Sequence, residues 1–297
     1  HSLKNNAEGI GLYRTEYLFL NRDTLPSEDE QFEAYDAAAT SMAPEPVTLR
    51  TMDIGGDKFV SHLQISREEN PQLGWRAVRF CLERPDIFKS QLRAMLRASV
   101  RGNVRIMFPM ISGVEELRQV LQVLEVAREE LRENGTPFDE SVKVGTMIEV
   151  PSAVALADML AKECDFFSIG TNDLIQYSLA VDRLNEKISH LYEPAHPAVL
   201  RMIQSTAKAA NDAGIPCGIC GEMAGDPMFT ELLLGLGVTS FSMSAFAIPA
   251  VRAEIARANM ADARLYARDI LEKKTYLEIK SIMRERFEAR SGAEAYH

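Results

Sequence analysis

Five polar residues of this chain are of types that do chemistry together: Arg14, Arg50, Glu149, Asp173 and Cys220. Two carboxylates supplemented by substrate oxygens and water are a usual way of holding Mg²⁺, so Glu149 and Asp173 can share a cation. Arg14 and Arg50 offer planar guanidinium groups, which pair in bidentate fashion with a carboxylate or phosphate where lysine offers only a point charge. Arg183, in Val181-Asp182-Arg183, follows the Asp173 segment and can reach over the same mouth. Gly170-Thr171-Asn172 runs straight into a predicted helix, whose first N–H groups and dipole suit an anion. A pocket thiol at Cys220 can serve as acid or base.

Each residue also has a plainer reading. Asp173 can simply cap the helix that starts at Leu174, and a glycine before a helix is common punctuation. Arg76, Arg79, Arg93 and Arg97 fall on helical patterns, where a solvated or salt-bridged surface is the better reading; only Arg76, beside Trp75, invites suspicion. Cys217 and Cys220 have a C-x-x-C spacing. Residues three apart on a strand face opposite sides, however, and no second cysteine pair completes a zinc site. Cys220 should therefore face the pocket and Cys217 should pack outside it. None of the five histidines reads as a phosphoryl acceptor: His190 and His196 look structural, His62 sits in a predicted loop, and His1 and His297 are terminal.

What unites the five residues is their position, because each closes a different predicted strand. Barrel enzymes build their sites at the C-terminal ends of their strands. Strands are predicted near Gly9–Leu12, Val47–Met52, Val104–Met110, Val142–Glu149, Phe166–Gly170, Pro216–Cys220 and Ser240–Met243. Helical patterns alternate with them. In Val114–Asn134, for example, Val114, Leu117, Leu121 and Leu124 recur at helical spacing and Gly135 supplies the stop. The alternation predicts an α/β fold, a TIM-type (β/α)8 barrel. Seven predicted strands and a helix-like opening at Leu3–Asn6 lead to the expectation that the first barrel strand lies upstream of residue 1 and that the sequence is a fragment. Extra C-terminal helices are expected at Ala261–Leu271 and Tyr276–Arg290, giving a barrel over 1–260 and a helical extension over 261–297 packed on the same domain.

Composition narrows the partners. At 297 residues and 46% hydrophobic, the chain can bury a full core. A net charge of −10 argues against nucleic acid or an anionic membrane, both of which reward a basic face. Four irregularly spaced cysteines and no signal-peptide pattern read as cytoplasmic. No stretch approaches the roughly 18 apolar residues of a membrane span.

The chain resembles the C-terminal PEP-binding domain of enzyme I of the bacterial phosphotransferase system, over essentially its whole length. The resemblance is carried by Gly11-Leu12-Tyr13-Arg14-Thr15-Glu16, Arg50-Thr51-Met52-Asp53-Ile54-Gly55-Gly56-Asp57-Lys58 and Glu69-Asn70-Pro71-Gln72-Leu73-Gly74-Trp75-Arg76. Further on come Met147-Ile148-Glu149-Val150-Pro151, Ser168-Ile169-Gly170-Thr171-Asn172-Asp173-Leu174, Val181-Asp182-Arg183, His190-Leu191-Tyr192 and Cys220-Gly221-Glu222-Met223-Ala224-Gly225. It implies a barrel of the phosphoenolpyruvate/pyruvate-binding kind and Mg²⁺-dependent phosphoryl transfer from phosphoenolpyruvate (PEP) to a histidine, releasing pyruvate.

By the same resemblance, Arg14, Arg50 and Arg183 would bind the phosphate and carboxylate of PEP, with Asn172 and the Asp173 backbone assisting. Glu149 and Asp173 would hold Mg²⁺. Cys220 would protonate the enolate carbon, its ordinary pKa near 8.5 tuned toward neutrality by nearby cations. Arg76, and after it Lys58, are further candidate contacts. The accepting histidine belongs in the family to an N-terminal domain, within a Gly-rich Thr-Ser-His motif that this sequence lacks. The phosphoryl group then passes to a histidine-containing phosphocarrier protein for sugar uptake, and the family domain carries a homodimer contact. A nitrogen-branch paralogue, a relative of pyruvate phosphate dikinase or PEP synthase, and a non-catalytic PEP-sensing module stay open as alternatives.

Overall fold

The computed structural model describes residues 3–20, 22, 24–54 and 68–292. Lys58, His62, His1 and His297 lie outside them. Seven parallel strands pair in sequence order: β1 (Ile10–Arg14), β2 (Val47–Arg50), β3 (Val104–Phe108), β4 (Lys143–Ile148), β5 (Phe166–Gly170), β6 (Cys217–Cys220) and β7 (Ser240–Ser242). All seven were legible in the sequence, because both faces of such a sheet are covered and its strands read as short apolar runs. An eighth strand is not among the described residues.

The sheet curls until its ends meet. A Cβ added at Gly11 on β1 would stand 2.7 Å from the Ser242 Cβ on β7, so glycine is what permits this approach. No ladder joins β7 to β1 among the described residues. The result is a nearly closed barrel, as the (β/α)8 reading predicts.

Alternation along the strands makes two apolar layers. Ile106 and Phe108 of β3, Ile148 of β4, Phe167 and Ile169 of β5, and Cys217 and Ile219 of β6 point outward into the main core. Leu12, Met107, Met147, Phe166 and Cys220 form a smaller cluster of their own. Cys217 and Cys220 thus fall in different layers, as their spacing predicts.

The helices cover the barrel: α1 (Glu28–Met42), α2 (Val78–Glu83), α3 (Pro85–Ala98), α4 (Val114–Glu133), α5 (Pro151–Ala155), α6 (Ala157–Leu160), α7 (Thr171–Leu179), α8 (Pro197–Ala213), α9 (Pro227–Gly235), α10 (Ile248–Arg257), α11 (Met260–Glu272) and α12 (Tyr276–Gly292). Their ends carry local signals. Ser27 and Glu30 form a capping box on α1, and His196 caps α8 by accepting from the Ala198 N–H at 3.2 Å, the structural role its context suggested. The opening residues form a short 3₁₀ turn, Leu3–Asn5.

The last two helices join the same core through Tyr266, Ile270, Ile279 and Met283. A buried acid on α9, Glu231, takes two hydrogen bonds from Arg286, at 2.7 and 2.8 Å, and pairs with Arg290 at 2.5 Å. Losing one partner of such a pair leaves a costly buried charge. The closest approach is at Gly235, where an added Cβ would stand 2.1 Å from the Ala263 carbonyl oxygen on α11. Backbone cannot give way there. Gly235→Ala is expected to lower unfolding stability by about 1–3 kcal/mol, measured by urea denaturation, by forcing α11 off α9.

Candidate active site

The residues singled out by the sequence converge on the C-terminal mouth of the barrel. Arg14 and Arg50 end β1 and β2, Cys220 ends β6, Glu149 follows β4 directly, and Asn172 and Asp173 lie in the first turn of α7. Together with Arg76 and Arg183 they line one cavity of about 270 Å³. Arg14, Asn172, Arg183 and Cys220 also line an adjoining, larger cavity that runs along the seam between β1 and β7.

Charge alternates across this mouth. Arg50 pairs with Glu16 and with Asp53 at 3.2 Å. Asp53 in turn accepts from Arg76 Nε at 3.1 Å and from Arg76 Nη2 at 2.8 and 2.9 Å. Arg76 then reaches Asp173 at 3.4 Å, while Gln72 and the Tyr177 hydroxyl, at 2.6 and 3.1 Å, fix its other edge. Burial pushes the Asp53 carboxyl up, but Arg50 and Arg76 together outweigh it and hold the group below its ordinary value. Within this run of charges two buried atoms have no hydrogen-bond partner among the described residues, Arg50 Nε and Glu16 Oε2. A buried guanidinium with an unused donor is suited to an anionic ligand.

Arg76 corrects the sequence reading. It lies on no helix but immediately before α2, in a turn where Ala77 has φ 53°. Arg79, on α2, pairs at the surface with Glu116 at 3.9 Å. Arg93 and Arg97 pair with Glu28 at 2.7 and 2.9 Å, the salt-bridged surface expected of them. Sequence reasoning assigned no role to Glu16, Gln72, Asp53 or Tyr177. For Asp53 a signal was present, an acid three residues beyond an arginine at a strand end.

Glu149 is 1% exposed, and its Oε1 accepts from the Met110 N–H at 2.7 Å. Met110 holds that N–H in place from the left-handed region, at φ 59°, an uncommon conformation for a non-glycine residue. Gly170 leaves room for the other oxygen, since an added Cβ would stand 2.6 Å from Glu149 Oε2. Burial raises the Glu149 carboxyl well above the ordinary range, and the charges of Asp173 and Asp53 raise it further. The positive charges of Arg50 and Arg76 pull the other way but do not offset this. Asp173 does not cap α7: Gly170 is the N-cap residue, and no side chain bonds there. Asp173 is near enough to Glu149 for its charge to be felt there. Among the described residues no group of three or more acids, cysteines or histidines is gathered to hold a metal by protein ligands alone.

The start of α7 is stitched to the end of β6. Thr171 Oγ1 donates to the Cys220 carbonyl at 2.8 Å, and the Glu222 N–H donates to Asn172 Oδ1 at 3.2 Å. Gly221, at φ 102°, permits this: a Cβ would stand 2.4 Å from Thr171 Oγ1. Arg183 rests against Glu222 at 3.2 Å on the rim. Cys220 is 3% exposed, and burial pushes its thiol up to about 11 against the weaker pull of Ser168, Arg50 and Arg14. The expected tuning toward neutrality is therefore overturned for this state, because desolvation outweighs the cations. The thiol holds its proton at neutral pH.

Glu149 makes stability depend on pH. Because folding raises its pKa, the folded chain binds more protons than the unfolded one between the ordinary carboxylate range and the raised value. Without metal, that contribution is fully present at acid pH and is lost as pH rises through the folded pKa. Glu149→Gln should therefore melt higher than the unmutated chain in EDTA at neutral pH, with a smaller fall between pH 5 and 8. Mg²⁺ should raise the melting temperature of the unmutated chain only. Scanning calorimetry checks both.

The family described as "PEP-utilising enzyme, PEP-binding domain" matches residues 1–260. The phosphoenolpyruvate-protein phosphotransferase of Haemophilus influenzae is 52% identical over 282 residues, 95% of this chain and 49% of the relative. That of Bacillus subtilis is 48% identical over 285 residues, 96% of this chain and 50% of the relative. The chain thus spans about half the length of the curated relatives it matches. Among solved structures, a citrate lyase from Burkholderia xenovorans aligns at 16% identity with a TM-score of 0.47, covering 90% of each chain. Matched over residues 1–260 and similar to these phosphotransferases along nearly all its length, the chain belongs to the PEP-binding domain family of the PEP-utilising enzymes.

Proposed function

We propose that this chain is the PEP-binding, Mg²⁺-dependent catalytic domain of a PEP–protein phosphotransferase, enzyme I of the phosphotransferase system. The observation that carries this is the charge chain from Glu16 through Arg50, Asp53 and Arg76 to Asp173, set beside a buried acid, Glu149, and a protonated thiol, Cys220. Arg14, Arg50 and Arg183 bind the phosphate and carboxylate of PEP, Arg76 and Asn172 complete the pocket, and Glu149 and Asp173 hold Mg²⁺. A cation held by Glu149 and Asp173 would supply positive charge to the oxygens of the substrate.

The chemistry divides as follows. The phosphoryl group leaves the enolate oxygen of PEP for the ring nitrogen of a histidine on an N-terminal domain of the same protein. Arg14 and Arg50 meet the charge that develops on the departing enolate. Cys220 then gives its proton to the enolate carbon, forming pyruvate and a thiolate that solvent reprotonates. A thiol that keeps its proton at neutral pH suits an acid of this kind. The histidine passes its phosphoryl group to a histidine-containing phosphocarrier protein for sugar uptake. The protein works in the cytoplasm as a homodimer, with the barrel over 1–260 and the helical extension over 261–297 in one domain. No helix of the described residues is long and apolar enough to cross a membrane.

Calorimetric titration of PEP into this chain should give saturable binding in Mg²⁺. Binding should weaken at least about hundredfold in EDTA, or in Mg²⁺ with Glu149→Ala. A folded chain that binds no PEP, or binds equally well without metal, removes the reading. With pyruvate and Mg²⁺ in D₂O, the chain should exchange the pyruvate methyl protons. Cys220→Ala should slow that exchange by about 10²–10⁴-fold while leaving PEP affinity within about threefold, as followed by proton NMR.

A further inference from the structure

Behind Arg50 lies a second polar cluster that touches neither cavity. Thr15, Tyr35 and Gln91 are wholly buried and Gln31 is 1% exposed. Gln91 stands on a face of α3 that otherwise buries Phe88, Leu92 and Met95. An amide in such a place is costly unless its donors and acceptor are all used.

They are all used, and the direction of each bond is consistent. Gln91 Oε1 accepts from the Met52 N–H at 2.9 Å. Its Nε2 donates to Thr15 Oγ1 at 3.1 Å and to the Tyr35 hydroxyl at 3.2 Å. Thr15 Oγ1 passes its own hydrogen to the Arg50 carbonyl at 2.9 Å, and the Tyr35 hydroxyl donates outward to Gln31 Oε1 at 3.2 Å. One amide therefore holds the backbone on both sides of Thr51, the Met52 N–H directly and the Arg50 carbonyl through Thr15. Thr15 follows Arg14 and precedes Glu16, the ion-pair partner of Arg50. Met52 precedes Asp53, which binds Arg50 and Arg76.

We propose that Gln91 is a positioning residue for PEP binding: it locks the ends of β1 and β2 to each other, so that the guanidinium groups of Arg14, Arg50 and Arg76 converge on one anion. The proposal rests on the PEP reading above. An amide that only stabilised the fold would not alter affinity once the chain was folded. A positioning amide alters affinity in the folded chain, because a small displacement of several bidentate donors weakens them together.

Four variants separate these roles. Gln91→Met keeps the volume and removes the amide. Thr15→Val removes the hydroxyl at nearly constant shape, and Thr15→Ser restores it. Tyr35→Phe removes the hydroxyl's bonds with Gln91 Nε2 and Gln31 Oε1, neither of which reaches a strand end. In Mg²⁺ and well below each melting temperature, the PEP dissociation constant should rise about tenfold in Gln91→Met and Thr15→Val, and stay within about twofold in Thr15→Ser and Tyr35→Phe. If Gln91→Met does not fold, the Thr15 pair decides. Folded Thr15→Val or Gln91→Met that binds PEP like the unmutated chain overturns the proposal. So does Tyr35→Phe weakened as much as Gln91→Met, because affinity would then track stability. An unmutated chain that binds no PEP overturns the proposed function and this inference together, whereas intact binding with indifferent variants overturns the inference alone.

Discussion

Buried charges must be paired, and in this barrel the pairing runs as one chain from Glu16 to Asp173. Isolated, each group would pay a desolvation cost that its fold could not tolerate. Linked, each is held by the next, and the chain crosses from the end of β1 to the first turn of α7. Positions of guanidinium and carboxylate groups that belong to distant parts of the sequence become mutually dependent. The strand order brings these elements to one mouth, and the ion pairs fix how their side chains stand there.

Small residues and strained ones complete that arrangement. Gly170 and Gly221 are absences of side chain where carboxylate and hydroxyl oxygens need space. Met110 and Ala77 are non-glycine residues at positive φ, each next to a group the site uses, the N–H that Glu149 accepts and the Arg76 side chain. Backbone held in such conformations persists only where its surroundings over-determine it. Both lie in well-packed places, Ala77 wholly buried and Met110 nearly so.

Much of this was legible in the sequence. The seven strands fall within two residues of their expected ends, because apolar runs and turn signals are local. Arg14, Arg50, Glu149 and Cys220 stand out because a charged or reactive residue closing an apolar run has nowhere to point but the barrel mouth. Glu16 does not stand out, and Asp53 does so only by its spacing from Arg50. Each sits just past a strand end, where a solvated acid looks the same as one buried against an arginine. Arg76 was assigned to a helix by the periodicity of its neighbours, and only tertiary contact with Asp53 and Asp173 reveals the turn. Gln91 is a lone polar residue within the apolar stripe of α3, and the stripe alone does not say what its amide holds. The Cys220 thiol is hidden for a related reason: the sequence shows its neighbouring cations but not the degree of burial that outweighs them.

The inner cluster has a consequence of another kind. Of its residues, Met107, Met147 and Cys220 carry sulfur, and the Met147 sulfur lies 3.7 Å from an Arg50 nitrogen. Thioether and thiol sulfur are polarizable. When charge moves on a ligand above them, their electron clouds can follow it at once, with no dipole to turn and no atom to shift. The floor of the barrel is thus electronically soft beneath a mouth that is mechanically fixed. The same softness is a chemical exposure, because an oxidant that reached Met147 would replace a yielding sulfur with a rigid, strongly accepting sulfoxide beside the central arginine.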